Sequence, residues 1–336
     1  MAENSKIEWT DASWNPIRAC NKATGKIGWY CEHASEGCRF CYAEAMNRRL
    51  GTGLDFKPGH RADVDLFLDN KMLAQPYHWK RPRMVFVCSM TDLFAEFVLD
   101  AWIDRIFTMM ALCPQHSFQV LTKRSERMRH YMTATGKLAR DGTAGERIRE
   151  AHHWARFDNA PPWQGWPLPN VWLGISAERQ QEADARIPDL LATPAAVRFV
   201  SLEPLLGPIG LTTEHLRDKC GGAYPFSMLK REDRTTRLDL LDWVIVGGES
   251  GREARACRTD WVRALIDQCR QANVACFVKQ LGSNSREIGD RIGDTGFVAC
   301  PSLDLRDRKG GDPFEWPEDM RVREFPKVAS NVKEVA

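Results

Sequence analysis

The sequence predicts an α/β fold, a partial or full (βα) barrel of parallel strands. Three observations predict it. Short apolar runs recur along the chain and are continuous rather than alternating, the pattern of strands buried on both faces in a parallel sheet. The stretches between them place apolar residues at helical spacing, so strand and helix alternate over most of the 336 residues. Five of the runs end in polar, small or glycine residues, and βα folds carry their chemistry at the C-terminal ends of parallel strands.

The expected strands lie at 84–89 (MVFVCS), 118–122 (FQVLT), 171–176 (VWLGIS), 197–202 (VRFVSL), 243–246 (WVIV) and 275–279 (ACFVK). Between them, 100–112 sets Trp102, Ile103, Ile106, Phe107 and Met110 on one helix face, and 259–272 does so with Trp261, Leu265 and Cys269. Both stripes read as core faces. The barrel-type domain is expected to span 1–283, with an N-terminal cysteine-bearing loop and two insertions. The insertion at 134–168 joins a helix-like GERIREAHHWAR to the loop APPWQGWPLP, and the one at 213–240 is strongly charged and contains Gly221 and Gly222. His152 and His153 are expected at the surface. Trp163 and Trp166 read as loop anchors, with base stacking as the sharper alternative. A C-terminal extension, 284–336, is polar with few apolar anchors and either packs on the barrel or trails from it.

Composition narrows the class. With 43% hydrophobic and 27% charged residues the chain has the make-up of a folded globular protein. No apolar run approaches the ~20 residues of a membrane helix, and the polar start MAENSKIEWTDASWNP lacks a signal-peptide core. The expectation is a cytoplasmic protein with no membrane partner. Thiols stay reduced there, so the eleven cysteines are not read as a disulfide framework. Cys88, Cys113, Cys269 and Cys276 fall in or beside apolar patterns and read as small buried hydrophobes. A net charge of +2 says nothing about nucleic acid. The local basic clusters, Arg48 with Arg49, KRPR at 80–83 and KRSERMRH at 123–130, suit either solvated faces or phosphate contacts.

Three cysteines crowd into eleven residues. The segment 30–44 reads YCEHASEGCRFCYAE, so Cys31, Cys38 and Cys41 form C-x6-C-x2-C with an aromatic, Tyr42, directly after. Two cysteines separated by two residues can wrap one metal, because the turn between them converges both sulfurs. Three thiolates leave one iron of a cubane cluster open. A structural zinc site wants a fourth ligand, which His33 or a distant cysteine would have to supply. Spacing alone leaves an iron–sulfur cluster, a zinc site and unliganded thiols as readings.

Further motifs carry a resemblance. They are Trp14-Asn15-Pro16, GCRFCYAE at 37–44, SMTDLF at 89–94, VLTKRSERM at 120–128, WLGISAE at 172–178, SLEPLLGPI at 201–209, DWVIVGGESG at 242–251 and WPEDMRVREFP at 316–326. In this order they resemble a phage-associated three-cysteine-motif protein family. That family is similar to radical S-adenosylmethionine (SAM) enzymes, nearest to the spore photoproduct lyase-like branch. The resemblance implies a partial βα barrel in which Cys31, Cys38 and Cys41 hold a [4Fe–4S] cluster. The open iron would bind the amino and carboxylate groups of SAM, and reduction by a donor such as flavodoxin or ferredoxin would yield a 5′-deoxyadenosyl radical. By position, Tyr42 would pack near the adenine. Ser89, Thr91 and Asp92 would meet the SAM amino group, Lys123 would meet its carboxylate, and Ser176 and Glu203 would line the cavity. The first gap departs from the commonest radical SAM spacing, C-x3-C-x2-C. Many relatives place their first cysteine just after the WNP segment, where this chain has Cys20. Cys31 is preferred because it keeps six residues before Cys38, with Cys20 as the substitute.

Each of these residues also has a plainer reading. Asp92 would be a good N-cap for a helix starting near Leu93. Lys123 could simply open a basic helix, and Glu203 could be a buried carboxylate held by backbone amides. Gly247, Gly248 and Glu249 could bring backbone amides to a ligand or make a tight strand-to-helix turn. They lack the lysine and hydroxyl of a phosphate-binding P-loop. The expected substrate is a nucleic-acid base or nucleotide, in DNA, RNA or free form, for modification or lesion repair; no catalytic residue is assigned. The competing class is a zinc-stabilised nucleic-acid-binding protein without catalysis.

Overall fold

The run VWLGIS is buried at all six positions of a strand, Val171–Ser176, and WVIVG is buried at all five of Trp243–Gly247. Such strands need cover on both faces, which a parallel sheet flanked by helices provides. A computed structural model of the chain describes residues 5–133, 143–154, 160–211, 240–287, 291–292, 297–298 and 300–327. Its strands as far as Gln280 are β1 (Ala12–Trp14), β2 (Ile17–Asn21), β3 (Ile27–Gly28), β4 (Val64–Leu68), β5 (Met84–Val87), β6 (Ser117–Thr122), β7 (Val171–Ser176), β8 (Val197–Leu202), β9 (Trp243–Gly247), β10 (Cys257–Arg258) and β11 (Ala275–Gln280). Seven of them form one sheet in the order β1-β5-β6-β7-β8-β9-β11. Neighbours in that sheet follow chain order, so the sheet is singly wound, as in a βα barrel. Its order has two ends, which makes the barrel partial.

The chain divides into two units. The first comprises Met1–Ile175 with Ala192–Ala196. Here β1 pairs in parallel with β5, and β5 with β6. The strand β1 is not predictable from sequence, because three residues carry no period. Register holds it instead: Ala12 faces Val85 and Trp14 faces Val87. Trp14 is fully buried, and its indole N–H donates to the Met72 carbonyl at 2.7 Å. The strand β5 stops at Val87 because Cys88 turns to φ 55°, a left-handed conformation uncommon for a side chain with a Cβ. The helices of this unit are α1 (Tyr42–Leu50), α2 (Asn70–Leu73), α3 (Asp100–Ala111), α4 (Ser125–Thr133) and α5 (Ala144–Trp154). On α3 the predicted stripe is buried at Ile103, Ile106, Phe107 and Met110. The surface expectation fails for His152, which is buried on α5 against Trp163 at 5.7 Å, while His153 is exposed. Trp166 packs on Phe107 at 5.6 Å, so both tryptophans of the Pro-rich loop act as anchors.

The second unit comprises Ser176–Leu191 and Val197–Ala336. In it β8 pairs with β9 and β9 with β11, all parallel. Among the described residues its α-helices are α6 (Gln180–Leu191) and α7 (Thr259–Ala272). Asn273 ends α7 in a left-handed conformation, φ 54°, its N–H returning to the last-turn carbonyls. Leu265 and Cys269 are buried as expected, but Trp261 is only half-buried, so the α7 stripe is not wholly a core face. The C-terminal segment is anchored by buried Trp316 and Met320 and lies along β11. Val278 N–H donates to the Val322 carbonyl and Glu324 N–H to the Cys276 carbonyl, both at 2.8 Å. Those bonds cover an edge strand that would otherwise expose unpaired groups. The charged insertion at 213–240 lies outside the described residues apart from Leu240.

Candidate functional site

In the first unit the three-cysteine loop lies over the C-terminal ends of β5 and β6. Cys38 closes the single 3-10 turn Glu36–Cys38, and its carbonyl accepts from Cys41 N–H at 3.2 Å, so the two-residue gap is one turn. Cys41 stands immediately before α1. Three bonds tie the loop to the strand ends. Thr91 Oγ1 donates to the Tyr30 carbonyl, Tyr42 OH donates to the Ser89 carbonyl at 2.8 Å, and Arg124 Nη2 donates to the Glu32 carbonyl at 2.8 Å. Ser89 is braced in turn by Asn15 of the WNP segment, whose Nδ2 donates to Ser89 Oγ at 3.0 Å while its Oδ1 accepts Met90 N–H at 2.9 Å.

Asp92 is the hub of this clamp. Its Oδ1 accepts from Thr122 Oγ1 at 2.6 Å and Phe94 N–H at 3.0 Å. Its Oδ2 accepts from Lys123 N–H at 2.9 Å and Arg124 Nη1 at 3.2 Å. Four donors engage the four lone-pair directions of a carboxylate. No helix starts at Leu93; the next one is α3, so Asp92 stabilises a turn and not a helix terminus. Lys123 is half-buried directly after β6.

The thiols share one electrostatic neighbourhood. Desolvation pushes the Cys31 thiol up to about 12, Asp92 adds to the shift, Arg124 opposes it, and Cys41 and Cys38 contribute. Burial likewise raises Cys41, opposed by the backbone N–H groups of Glu44 and Ala43 in the first turn of α1. Burial works against the Arg124 charge, but Asp92, Cys31 and Glu96 together raise its pKa. Cys20 sits apart from this group in β2, its thiol directed at the Asn21 carbonyl. Among the described residues, no three His, Cys, Asp or Glu side chains converge closely enough to hold a metal ion. In donor chemistry the loop suits an iron–sulfur cluster: three thiols outside any disulfide, electrostatically coupled, with a cation and helix N–H groups beside them.

The remaining predicted residues lie at strand ends of the second unit. Ser176 Oγ donates to the Glu203 carbonyl at 3.3 Å, and Glu203 Oε1 accepts from Lys279 Nζ at 2.5 Å. A Cβ on Gly247 would come 3.0 Å from Glu203 Oε1, so this glycine leaves room for the carboxylate. A Cβ on Gly248 would come 2.1 Å from the Leu281 carbonyl oxygen, which makes that glycine a requirement of backbone packing. Glu249 is buried and paired with Arg255, which donates from Nη2 at 2.6 Å and from Nε and its backbone N–H at 2.9 Å.

The DUF5131 family profile, described as a protein of unknown function, matches residues 4–297. The chain belongs to the DUF5131 family. No curated protein and no solved structure matches it. The DUF5131 match contains every predicted site residue from Cys31 to Glu249, whereas the strap along β11 lies beyond its end.

Sequence reasoning missed Arg124, Glu32, Asn15 and Lys279 in this DUF5131 chain. Arg124 belongs to the basic run at 123–130, which read as a solvated or phosphate-binding face. Two arginines of that run turn inward instead: Arg124 holds Asp92 and Glu32, and Arg127 donates to the Phe94, Ala95 and Val98 carbonyls. The available signal was position, since a charged residue just after a buried strand faces the strand-end loops.

Proposed function

We propose that this protein is a radical SAM-type enzyme of the cytoplasm, with Cys31, Cys38 and Cys41 holding a [4Fe–4S] cluster. The observation that carries the reading is the clamp. A loop bearing three free thiols is tied by Thr91, Tyr42 and Arg124 to the strand ends where βα folds keep their chemistry. A purely structural metal knuckle needs no such attachment. Bound there, the cluster supplies one-electron reduction of SAM.

The chain's own residues then have definite tasks. Tyr42 keeps its hydroxyl on Ser89 and half of its surface exposed, and it is the residue beside which an adenine would pack. Lys123 supplies a cation for a carboxylate, and Ser89 and Thr91 shape the same wall. Asp92 acts through Arg124 and the strand-end amides, holding the thiol loop in place. In the second unit, Ser176, Glu203 and the Gly247-Gly248-Glu249 turn form that unit's own strand-end group, with Lys279 as an added cation. The substrate class of the proposal is a nucleic-acid base or nucleotide. The electron comes from a separate donor of the flavodoxin or ferredoxin type.

The test is anaerobic reconstitution with iron and sulfide, followed by visible and EPR spectra, reduction, addition of SAM and assay of 5′-deoxyadenosine. A reduced-cluster signal altered by SAM, and product lost in Cys38→Ala, is the expected result. A colourless protein holding one tight zinc, with no SAM cleavage, overturns it.

A further inference from the structure

Within the second unit lies a cavity of ≈ 690 Å³. That is inside the roughly 300–1,000 Å³ range of small-molecule sites. Its walls come from Gln180, which opens α6 just after β7, from 208–210 in the loop after β8, and from Arg258 of β10 with the first turns of α7, on the connection after β9. These are the connections that leave the C-terminal ends of strands.

One wall is fixed by side-chain amides. Gln180 Oε1 accepts Gly210 N–H at 2.7 Å and its Nε2 donates to the Gly210 carbonyl at 3.1 Å. Gln268 holds the flanking Leu211 N–H at 2.7 Å and the Ile209 carbonyl at 3.1 Å. The α7 wall is chemically different. The Arg258 guanidinium lies over the Trp261 ring, 5.4 Å from its centroid. Its Nε and Nη2 donate to Asp260 Oδ1 and Oδ2 at 2.9 and 2.8 Å.

The fold alone does not account for this wall. Arg258 and Asp260 keep 35% and 33% of their side-chain surface exposed, and a pair so exposed stabilises little. Trp261 stays half-buried on a helix whose other stripe residues are in the core. Guanidinium has five N–H donors and a carboxylate about four acceptor sites, so most of both remain available after the mutual pair is made. A flat ring face, a donor fork and acceptor oxygens therefore border one cavity.

We propose that this cavity binds a nucleobase. The heterocycle stacks on the Arg258 guanidinium that Trp261 backs, and its polar edge is read by the Asp260 carboxylate oxygens. The inference rests on the functional reading above for its ligand class, but the binding itself needs neither cluster nor SAM. The base can belong to a free nucleoside or to an unpaired position in a single strand.

The test is a fluorescence titration of the full chain, as isolated and without reconstitution, using two probes. One is 2-aminopurine deoxyriboside; the other is a single-stranded oligodeoxynucleotide with one 2-aminopurine among thymines. Saturable quenching is expected, weakened at least about 5-fold in Trp261→Ala and largely recovered in Trp261→Phe. Saturation by the deoxyriboside identifies a free-nucleoside site, and saturation by the oligonucleotide alone identifies a single-strand site. No saturable quenching with either probe, or a folded Trp261→Ala that binds as the parent does, overturns the proposal. Loss of base binding alongside intact SAM cleavage removes only this site. Base binding without SAM cleavage removes only the radical reading.

Discussion

Arg124 Nη1 meets Asp92 Oδ2 at 3.2 Å while Nη2 of the same guanidinium holds the Glu32 carbonyl at 2.8 Å. One side chain thus joins the end of β5, the start of α4 and the residue next to Cys31. Both partners of the ion pair are nearly inaccessible, at 10% and 8% of their side-chain surface. In such surroundings the pair's main effect is to fix geometry, since attraction and desolvation largely offset one another.

Removing the arginine leaves a buried carboxylate with fewer donors. Arg124→Met is expected to destabilise the protein by about 3 kcal/mol in urea unfolding. It should also speed maleimide labelling of Cys31, because Glu32 loses its tether. Unchanged stability together with unchanged labelling would show that the loop is held by other bonds.

Gly248 and Gly207 make a matched pair. Alanine at 248 would press its Cβ 2.1 Å from the Leu281 carbonyl oxygen, whereas nothing lies within 4 Å of a Cβ at 207. Gly248→Ala should therefore yield little folded protein, or lose more than about 3 kcal/mol, while Gly207→Ala should stay within about 0.5 kcal/mol of the parent. Comparing soluble yield and melting temperature of the two variants decides the matter.

His116 is buried between Trp79 and Phe118, with ring centroids 5.6 and 6.0 Å away, and its Nε2 lies 3.1 Å from the Pro76 carbonyl. Desolvation lowers its pKa from 6.5, partly opposed by that carbonyl and assisted by Arg83. Below the unfolded value the unfolded chain binds a proton that the folded one refuses, so stability present above about pH 6.5 is lost as pH falls. Denaturant melts at pH 7 and pH 5 should show a smaller acid loss in His116→Gln than in the parent; equal losses would refute the assignment.

The Glu203–Lys279 pair joins the ends of β8 and β11 with 18% and 17% of the side chains exposed. Lys279→Met strands Glu203 and should cost about 1–3 kcal/mol, and adding Glu203→Gln should restore part of that loss. A strictly additive double variant, measured by denaturant unfolding, would show that the two residues do not interact in solution.

The sheet was legible because burial on both faces writes itself into consecutive residues. The strands at 171–176 and 197–202 match their expected limits, and the others differ by a residue or two at an end. The strand 84–89 is shortened by the turn at Cys88, a backbone conformation that composition does not reveal. Ser89, Thr91, Asp92 and Lys123 could be placed at strand ends because strand ends can be located once strands are, whereas Tyr42 was marked only by following Cys41 and opens α1. What the carboxylate of Asp92 touches was not legible, since three of its four donors, on Thr122, Lys123 and Arg124, lie about thirty residues on, across a strand-to-strand crossover.

The sequence alone was enough to place the buried strands of the sheet from Met84 onward and the helices between them, because periodicity and burial are local properties. Tertiary structure alone decided that three residues at Ala12–Trp14 form a strand, that Arg124 turns inward, that His152 is buried and Trp261 half-open, and that 322–324 straps β11. Each of these depends on a partner brought near by chain closure over tens of residues. Loop closure has little entropy dependence on the identity of what it joins, so such pairings leave no period in the chain.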